Sequence, residues 1–448
     1  LIENDYMSQE HPGKSLGFWT LTALVAGNMI GSGVFMLPAA LAAFGSIGIF
    51  AWIITAAGTM ILAIVFARLS RLLPRTGGPY AYCREAFGDF LGFQVAYNYW
   101  IALWVGNAAI VVTLVSYLSV FWPQLDTKPW VSFVVSLSFI WLITLINIIG
   151  VKEAGKTQII TTVLKLIPLL GIAIVGLFFI QKTNLSHFNV SGKSDFAALT
   201  GAATLTMWAF IGFESATVPA EYVVNPRRNI PRATIIGTSI AALVYILSTV
   251  SIMGIVPIKQ LAHSASPFAD AANIMFGAWA HWVIAAAAVI ACFGTLNGWI
   301  LMQGQIPLAA AKDGLFPKHF EKVNKVGSPV FGLIVSSILI SLLLAMRYGA
   351  SLVNQFTMIS LLATLASLIP YIYTSVAEIM FFIKEREKFN QKRLAGSAVL
   401  ALIAFAYTYW LIYGAGLEIV FYGVLLLLSS IPVYLLLQIK SLETENEK

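Results

Sequence analysis

Charge is what this chain has least of. Only 10% of its 448 residues are Asp, Glu, Lys or Arg, while 59% are hydrophobic and mean hydropathy is +0.84. A soluble domain carries about a quarter of its residues as charges, so a soluble fold is excluded, and with it a soluble surface for nucleic acid. Cysteine is scarce as well. Cys83 and Cys292 do not make a disulfide framework, and both read as buried or loop thiols. The five histidines, His11, His187, His263, His281 and His319, fall in tails, loops or near span ends; HExxH does not occur, and the one GxSxG match, GKSLG at 13–17, falls where the N-terminal tail meets the first apolar run rather than inside the bundle. An intramembrane enzyme needs a nucleophile with its base, or metal ligands, inside the bundle. The expectation is therefore no enzyme, no metal site and no cofactor.

Long apolar runs are what the chain has instead. A bilayer span takes about 20 apolar residues, and twelve such runs are present, at about 15–45, 47–72, 86–121, 130–150, 157–181, 198–222, 233–257, 275–311, 328–346, 353–383, 394–414 and 417–439. The first is too long for a cleavable leader and is followed at once by another span. If the N-terminus is cytoplasmic, the inner segments hold 21 Lys and Arg and the outer loops hold 5. That bias predicts cytoplasmic termini at both ends. The net charge of +7 then complements a lipid surface.

The first run has its weakest helix material at its centre, NMIGSGVF, Asn28 to Phe35. Two glycines flank a serine, and glycine is a poor helix residue. A second defect lies in TLTMWAFIGFESATVPAEY, where Gly212 precedes Phe213, Glu214 and Ser215. Gly31 and Gly212 fall in spans 1 and 6. Five spans of offset is odd, so the two copies would cross the bilayer in opposite directions, as in an inverted repeat with paired broken helices. This divides the chain into a tail (1–14), a first repeat (15–182), a second repeat (198–383), two added spans (394–439) and a tail (440–448). A break in hydrocarbon is tolerated only where the freed backbone faces protein or a cavity. The amides of Ser32, Gly33 and Val34 would then cradle a carboxylate at a helix N-terminus. Carbonyls near Asn28 and Met29, and near Trp208 and Ile211, would accept from an ammonium. A free amino acid has both groups. The competing reading of GSG is a small-residue packing motif.

Buried polar groups narrow the reading. Glu214 sits mid-span, where a carboxylate costs at least about 2.5 kcal/mol and is by default functional. Gating or proton coupling is the role it suggests, and a structural carboxylate bonded to a tyrosine is the alternative. Lys165 is nine residues beyond Lys156, about 13.5 Å along a helix, and reads as interior rather than snorkelling. Glu378 reads as interfacial. Trp100, Trp104, Trp208 and Trp299 lie away from the headgroup level, where an indole face holds a cation or simply packs. Asn107 is a mid-span amide that serves a substrate or a neighbouring helix equally well.

The motifs GNMIGSGVFMLPA, GGPYAYCREAFG, YWIALWVGNAAIVV, LTMWAFIGFESATV, NPRRNIPRATI, ASPFADAA, KDGLFPKHF and IPYIYT, in that order, together resemble the amino acid–polyamine–organocation transporters. The resemblance runs from about Ser15 to the last span. It implies an all-α integral membrane fold of twelve transmembrane helices, a 5+5 inverted repeat with helices 1 and 6 broken. It also implies a homodimer in the bacterial inner membrane. The implied activity is exchange of a cationic amino acid for its decarboxylated amine, arginine for agmatine first, with a place in acid resistance. Carried over residue by residue, Ser32 and Gly33 bind the α-carboxylate. Met29, Trp208 and Ile211 give carbonyls to the α-amine. Asn107 and Trp299 meet the distal cation, with Ala102, Leu103, Ile110 and Ala363 lining the pocket. Tyr99, Glu214 and Tyr371 form a gate, Tyr80 matches a tyrosine implicated in pH response, and Lys165 resembles a lysine that replaces a sodium site in proton-coupled members. Ala363 departs from a serine that helps hold a guanidinium. Leu103 and Ile110 stand where cysteine and methionine are found. A lysine or ornithine exchanger, a proton-coupled importer and a transporter-like amino-acid sensor are the alternatives. The expected partners are an amino acid or polyamine substrate, the lipid bilayer and a second copy of the chain, with no nucleic acid.

Overall fold

Two of the spans are interrupted, and the rest of the fold is arranged around those interruptions. The computed structural model describes residues 16–150, 166–384 and 391–446. In chain order, α1 (Phe18–Met29) and α2 (Ser32–Ala42) share the first span, and α3 (Ile47–Leu72) returns. A short α4 (Pro79–Phe87) precedes α5 (Asp89–Leu118), and α6 (Gln124–Thr127) leads into α7 (Pro129–Ile149). The described part of the fifth run is α8 (Leu166–Phe179). The second interrupted span opens with α9 (Asp195–Phe210) and continues as 3-10 turns at Phe213–Thr217 and Ala220–Tyr222. Then follow α10 (Pro226–Ile255), α11 (Ile258–Leu261), α12 (Pro267–Phe276), α13 (Ala278–Lys312), α14 (Val330–Arg347), α15 (Leu352–Lys384), α16 (Gln391–Gly414), α17 (Leu417–Leu428) and α18 (Ser430–Asn446). Among the described residues eleven helices are long and apolar enough to cross a membrane. No strand forms there beyond a single bridge between Leu16 and Val223. The fold is all-α and multi-span, as expected.

Burial sorts the spans into a centre and a rim. The first span and α5 have 94% of their apolar window enclosed by protein, against 17% for Leu417–Ile439. A helix apolar all round and enclosed belongs to the interior, and one equally apolar but exposed faces lipid. The α5 helix packs against both α13 and α15, while α3 packs on α9 and α10.

The two interrupted spans run antiparallel, and their ends are tied together. Beside the start of α1, the Leu16 amide donates to the Tyr222 carbonyl (3.2 Å) and Val224 donates back to Leu16 (3.0 Å). Beyond the end of α2, Ser46 and Ile47 donate to His187 and Phe188 (both 2.9 Å), and Val190 donates to Phe44 (3.1 Å), just before α9 begins. Each span therefore starts where the other ends. Leu16 marks what is called below the N-terminal face.

Several elements differ from the sequence reading. The run expected to start at 86 begins at Asp89, because Gly88 (φ 94°) ends the unexpected α4. Pro79 at the first turn of α4 and a glycine after its last residue are ordinary boundary signals. The second half of the span 198–222 is not α-helical. Gly212 takes the left-handed conformation (φ 106°) and Pro219, which has no amide N–H, follows seven residues later. Glu378, read as interfacial, is packed among protein groups, with Arg68 Nη1 at 4.0 Å. Cys83 and Cys292 are both buried and form no disulfide. Lys165 lies outside the described residues.

Candidate functional site

The first break is a clean end and a bare start. Ile30 makes the last bond of α1, donating to Ala26 at 2.8 Å, and then turns to an extended conformation. The first N–H groups of a helix have no intrahelical acceptor, and Gly31 before α2 supplies no side-chain cap. The amides of Ser32, Gly33 and Val34 are those groups. The glycines also permit contact: a Cβ on Gly31 would lie 2.7 Å from Thr295 Cγ2, and one on Gly33 2.8 Å from Ala209 Cβ. Breaking and packing, posed as rival readings of GSG, both hold.

At the second break, Ile211 donates back to the Trp208 carbonyl at 3.3 Å, and the Ala209 carbonyl accepts from Tyr245 Oη at 2.9 Å. Beyond Gly212, Glu214 is fully buried. Its Oε1 accepts from Tyr99 Oη (2.8 Å), and its Oε2 accepts from Tyr371 Oη (2.9 Å) and from the Gly212 amide (3.2 Å). Three donors satisfy a carboxylate that would otherwise be costly in this setting. The two breaks are joined by Asn28, whose Nδ2 donates to Ser215 Oγ at 2.9 Å.

The α5 face orders the site. Tyr99, Ala102 and Leu103, Gly106 and Asn107, and Ile110 recur at helical spacing and are all buried, spanning about 16 Å. Gly106 is where two indoles meet it: an added Cβ would lie 2.7 Å from Trp299 and 2.9 Å from Trp208. Those two rings are 5.6 Å apart, and neither indole N–H finds a partner. Asn107 Nδ2 donates to Gln303 Oε1 at 2.7 Å, leaving Asn107 Oδ1 buried without one.

A hollow lies between these elements. It is lined by Tyr99, Ala102 and Leu103 of α5, by Ile211, Gly212, Glu214 and Ser215 at the second break, and by Trp299 and Met302 of α13. Its volume, ≈ 10 Å³ to the centre of a water molecule, is about one water's worth. Met29, Ser32, Gly33, Asn107, Ile110, Trp208 and Ala363 are buried and do not line it. An amino acid enters only if side chains such as Trp299 and Met302 move. Tyr80 is elsewhere, on α4, donating to Asp313 Oδ2 at 3.3 Å in a group with Arg75, Arg84 and Asp89. That group borders a cavity of ≈ 290 Å³ at the N-terminal face. Burial first, then the Asp313 carboxylate, push the Tyr80 hydroxyl above its ordinary range, outweighing Arg75 and Arg84. It stays protonated at neutral pH. Gly106, Gln303, Met302 and Tyr245 were not singled out from the sequence; Asn28 was named there for its carbonyl and Ser215 as a neighbour of Glu214, neither for its side chain. Asn28 and Gln303 carried a usable signal, as polar residues within apolar runs.

Antiparallel interrupted spans around a buried carboxylate and hollow make a membrane carrier of small solutes. The chain belongs to the amino acid permease family, whose model matches residues 16–435, and so to the amino acid–polyamine–organocation transporters. It is 38% identical over 374 residues to the cadaverine/lysine antiporter of Escherichia coli strain K12, covering 82% of this chain and 84% of that one. A Bacillus subtilis strain 168 protein, provisionally named an arginine/ornithine antiporter, is 35% identical over 434 residues, 89% and 91% of the two chains. The putrescine transporter PotE of Escherichia coli strain K12 is 34% identical over 418 residues, 93% and 94%. The chain is a multi-pass transporter of this amino acid and polyamine family, not an enzyme.

Proposed function

We propose that the chain exchanges a cationic amino acid for its decarboxylated amine by alternating access. Arginine with agmatine is the first pair to test. The observation that carries the reading is the pair of antiparallel breaks, which sets uncapped amides of α2 near the carbonyl end of α9. In this scheme Ser32 and Gly33 hold the substrate carboxylate, while carbonyls of Met29, Trp208 and Ile211 take the α-amine. Trp299 and Asn107 meet the distal cation and Trp208 covers the aliphatic stem, beside Ala102, Leu103, Ile110 and Ala363. Lysine with cadaverine is the second reading. Ala363 offers no hydroxyl, and a guanidinium has more N–H donors to satisfy than an ammonium.

Tyr99, Glu214 and Tyr371 close the hollow toward the N-terminal face, which is proposed to be cytoplasmic. Tyr80, which donates to Asp313, and Lys165 are the further residues proposed for pH response and proton coupling. The two inverted copies are 15–182 and 198–383, with 394–439 added, in a homodimer in the bacterial inner membrane. A basic amino acid carries one net positive charge and its diamine product two. Each cycle then exports about one positive charge, which suits a role in acid resistance. Proteoliposomes loaded with agmatine, cadaverine or nothing, and given labelled arginine or lysine, test this. Uptake that requires an internal amine supports exchange, and equal uptake into empty liposomes refutes it.

A further inference from the structure

We propose that a one-way hydrogen-bond relay from Ile140 through Thr144, Ser337 and Gln303 positions the Asn107 amide so that its oxygen alone is offered to the substrate, making the site select a distal N–H donor. The inference rests on the reading above of a cationic-substrate site. Four spans contribute: α7 with Ile140 and Thr144, α14 with Ser337, α13 with Gln303 and α5 with Asn107. All five residues are at most 1% exposed, so water does not scramble the pattern.

The direction follows from proton counting. The Ile140 carbonyl only accepts, so Thr144 Oγ1, at 2.7 Å, donates to it. The Thr144 proton being used, the 2.7 Å contact between Thr144 and Ser337 needs the Ser337 proton. Ser337 Oγ must then accept at its remaining contact, from Gln303 Nε2 at 3.4 Å. This turns Gln303 Oε1 toward Asn107, where it accepts from Nδ2 at 2.7 Å. Flipping both amides would leave the short Thr144–Ser337 contact with no proton between its oxygens. Asn107 Oδ1 is left buried and unpartnered, next in sequence to the glycine that both indoles touch and four residues from Leu103, which lines the hollow. A bare acceptor there rewards an ammonium or guanidinium and penalises a side chain without N–H, because an unmet buried acceptor is costly. Gln303, Ser337 and Thr144 are thus positioning residues that need not touch the substrate.

The test measures binding of arginine, lysine and norleucine to the purified full-length protein and its variants. Norleucine has nearly the length of lysine and no distal N–H. The wild type is expected to favour a basic amino acid over norleucine by about tenfold or more. Thr144→Val, Ser337→Ala and Gln303→Leu should each lower that ratio by about fivefold or more, with norleucine affinity held within about threefold. Thr144→Ser, which keeps the relay, should retain the wild-type ratio and guards against simple misfolding of the Val variant. The relay is overturned if Thr144→Val and Ser337→Ala keep the ratio, or if they weaken norleucine in parallel, which is the mark of packing. A wild type that does not prefer a basic amino acid over norleucine overturns the cationic-site reading instead.

Discussion

Tyr371→Phe isolates one hydroxyl of the Glu214 cluster. The ring stays, and with it the contacts to Phe66 and Phe213 at centroid distances of 5.7 and 5.1 Å. What goes is the 2.9 Å bond to Glu214 Oε2, leaving that oxygen with the Gly212 amide at 3.2 Å. A hydrogen bond to a charged group contributes about 1.5–3 kcal/mol net. If Tyr99, Glu214 and Tyr371 close the N-terminal side, and water replaces these bonds when it opens, the variant shifts the equilibrium toward the open form by about 10- to 150-fold. Ala102 lines the hollow beside the cluster. A cysteine at that position, with Cys83 and Cys292 replaced, reports access through its rate of modification by a membrane-impermeant thiol reagent. Burial pushes the native Cys83 thiol up to about 12, so it is a poor nucleophile in any case. The rate from the N-terminal face should rise about tenfold or more in Tyr371→Phe. A rate within about threefold of the parent, in protein that still elutes as a single species, refutes the idea that these hydroxyls hold the site shut.

Three further outcomes are expected. Trp299→Leu should weaken binding of a basic amino acid by about tenfold or more, since an indole face holds a desolvated cation by about 2 kcal/mol; equal affinity by calorimetry removes Trp299 from the site. Gly106→Ala should cost about 1–3 kcal/mol of stability, because the new methyl falls 2.7 and 2.9 Å from the two indoles, and should weaken substrate more than Ala102→Gly does; thermal unfolding and binding check both. At the opposite face, burial holds the Asp270 carboxyl above the usual carboxylate range, with the Ser264 hydrogen bond and His281 opposing. Its folded pKa exceeds the unfolded value of about 4, so the folded state binds more protons between the two. This term therefore lowers stability as pH rises from about 4 through the folded value and is flat above it. Asp270→Asn should flatten the thermal-midpoint profile in that window and raise the midpoint at pH 7.

The site was legible in proportion to how far it depends on backbone and composition. Both breaks were readable, because glycine beside polar residues at the centre of an apolar run makes weak helix, and Glu214 stood out because carboxylates are rare in spans. What the sequence hid was pairing. That Glu214 meets Tyr99 and Tyr371 came from resemblance rather than from spacing, since 115 and 157 residues separate the partners. Gly106 looked like any small residue of a span until its two indole neighbours were placed. The α4 helix was missed although Pro79 and Gly88 bracket it, because hydropathy searches for long apolar runs and this segment is short and mixed. The pairing of Glu378 on α15 with Arg68 on α3, 4.0 Å apart, was equally hidden, because about 310 residues separate the two in sequence.

The hydrogen-bond count also constrains how a substrate amine is held. Glu214 is the charged group nearest the hollow, and a direct ion pair with the amine would be the simplest guess. Its two oxygens, however, already hold three donors at 2.8, 2.9 and 3.2 Å. One lone-pair site remains, on Oε1, so an added ammonium would share a carboxylate already engaged by three donors and gain less there than at a bare one. The break carbonyls and Asn107 Oδ1 carry no such competition: Asn107 Oδ1 finds no partner, and a backbone carbonyl keeps a second lone pair even when one is used, as at Trp208. An amine settling on those acceptors leaves the Glu214 cluster free to stay closed or to open. The same division makes the hollow's size intelligible. A space fit for about one water lets Trp299 and Met302 rest against the second break, and entry of a zwitterion must move them. Binding and rearrangement are then one event in this geometry, and a carrier needs that coupling to avoid leaking through an open path.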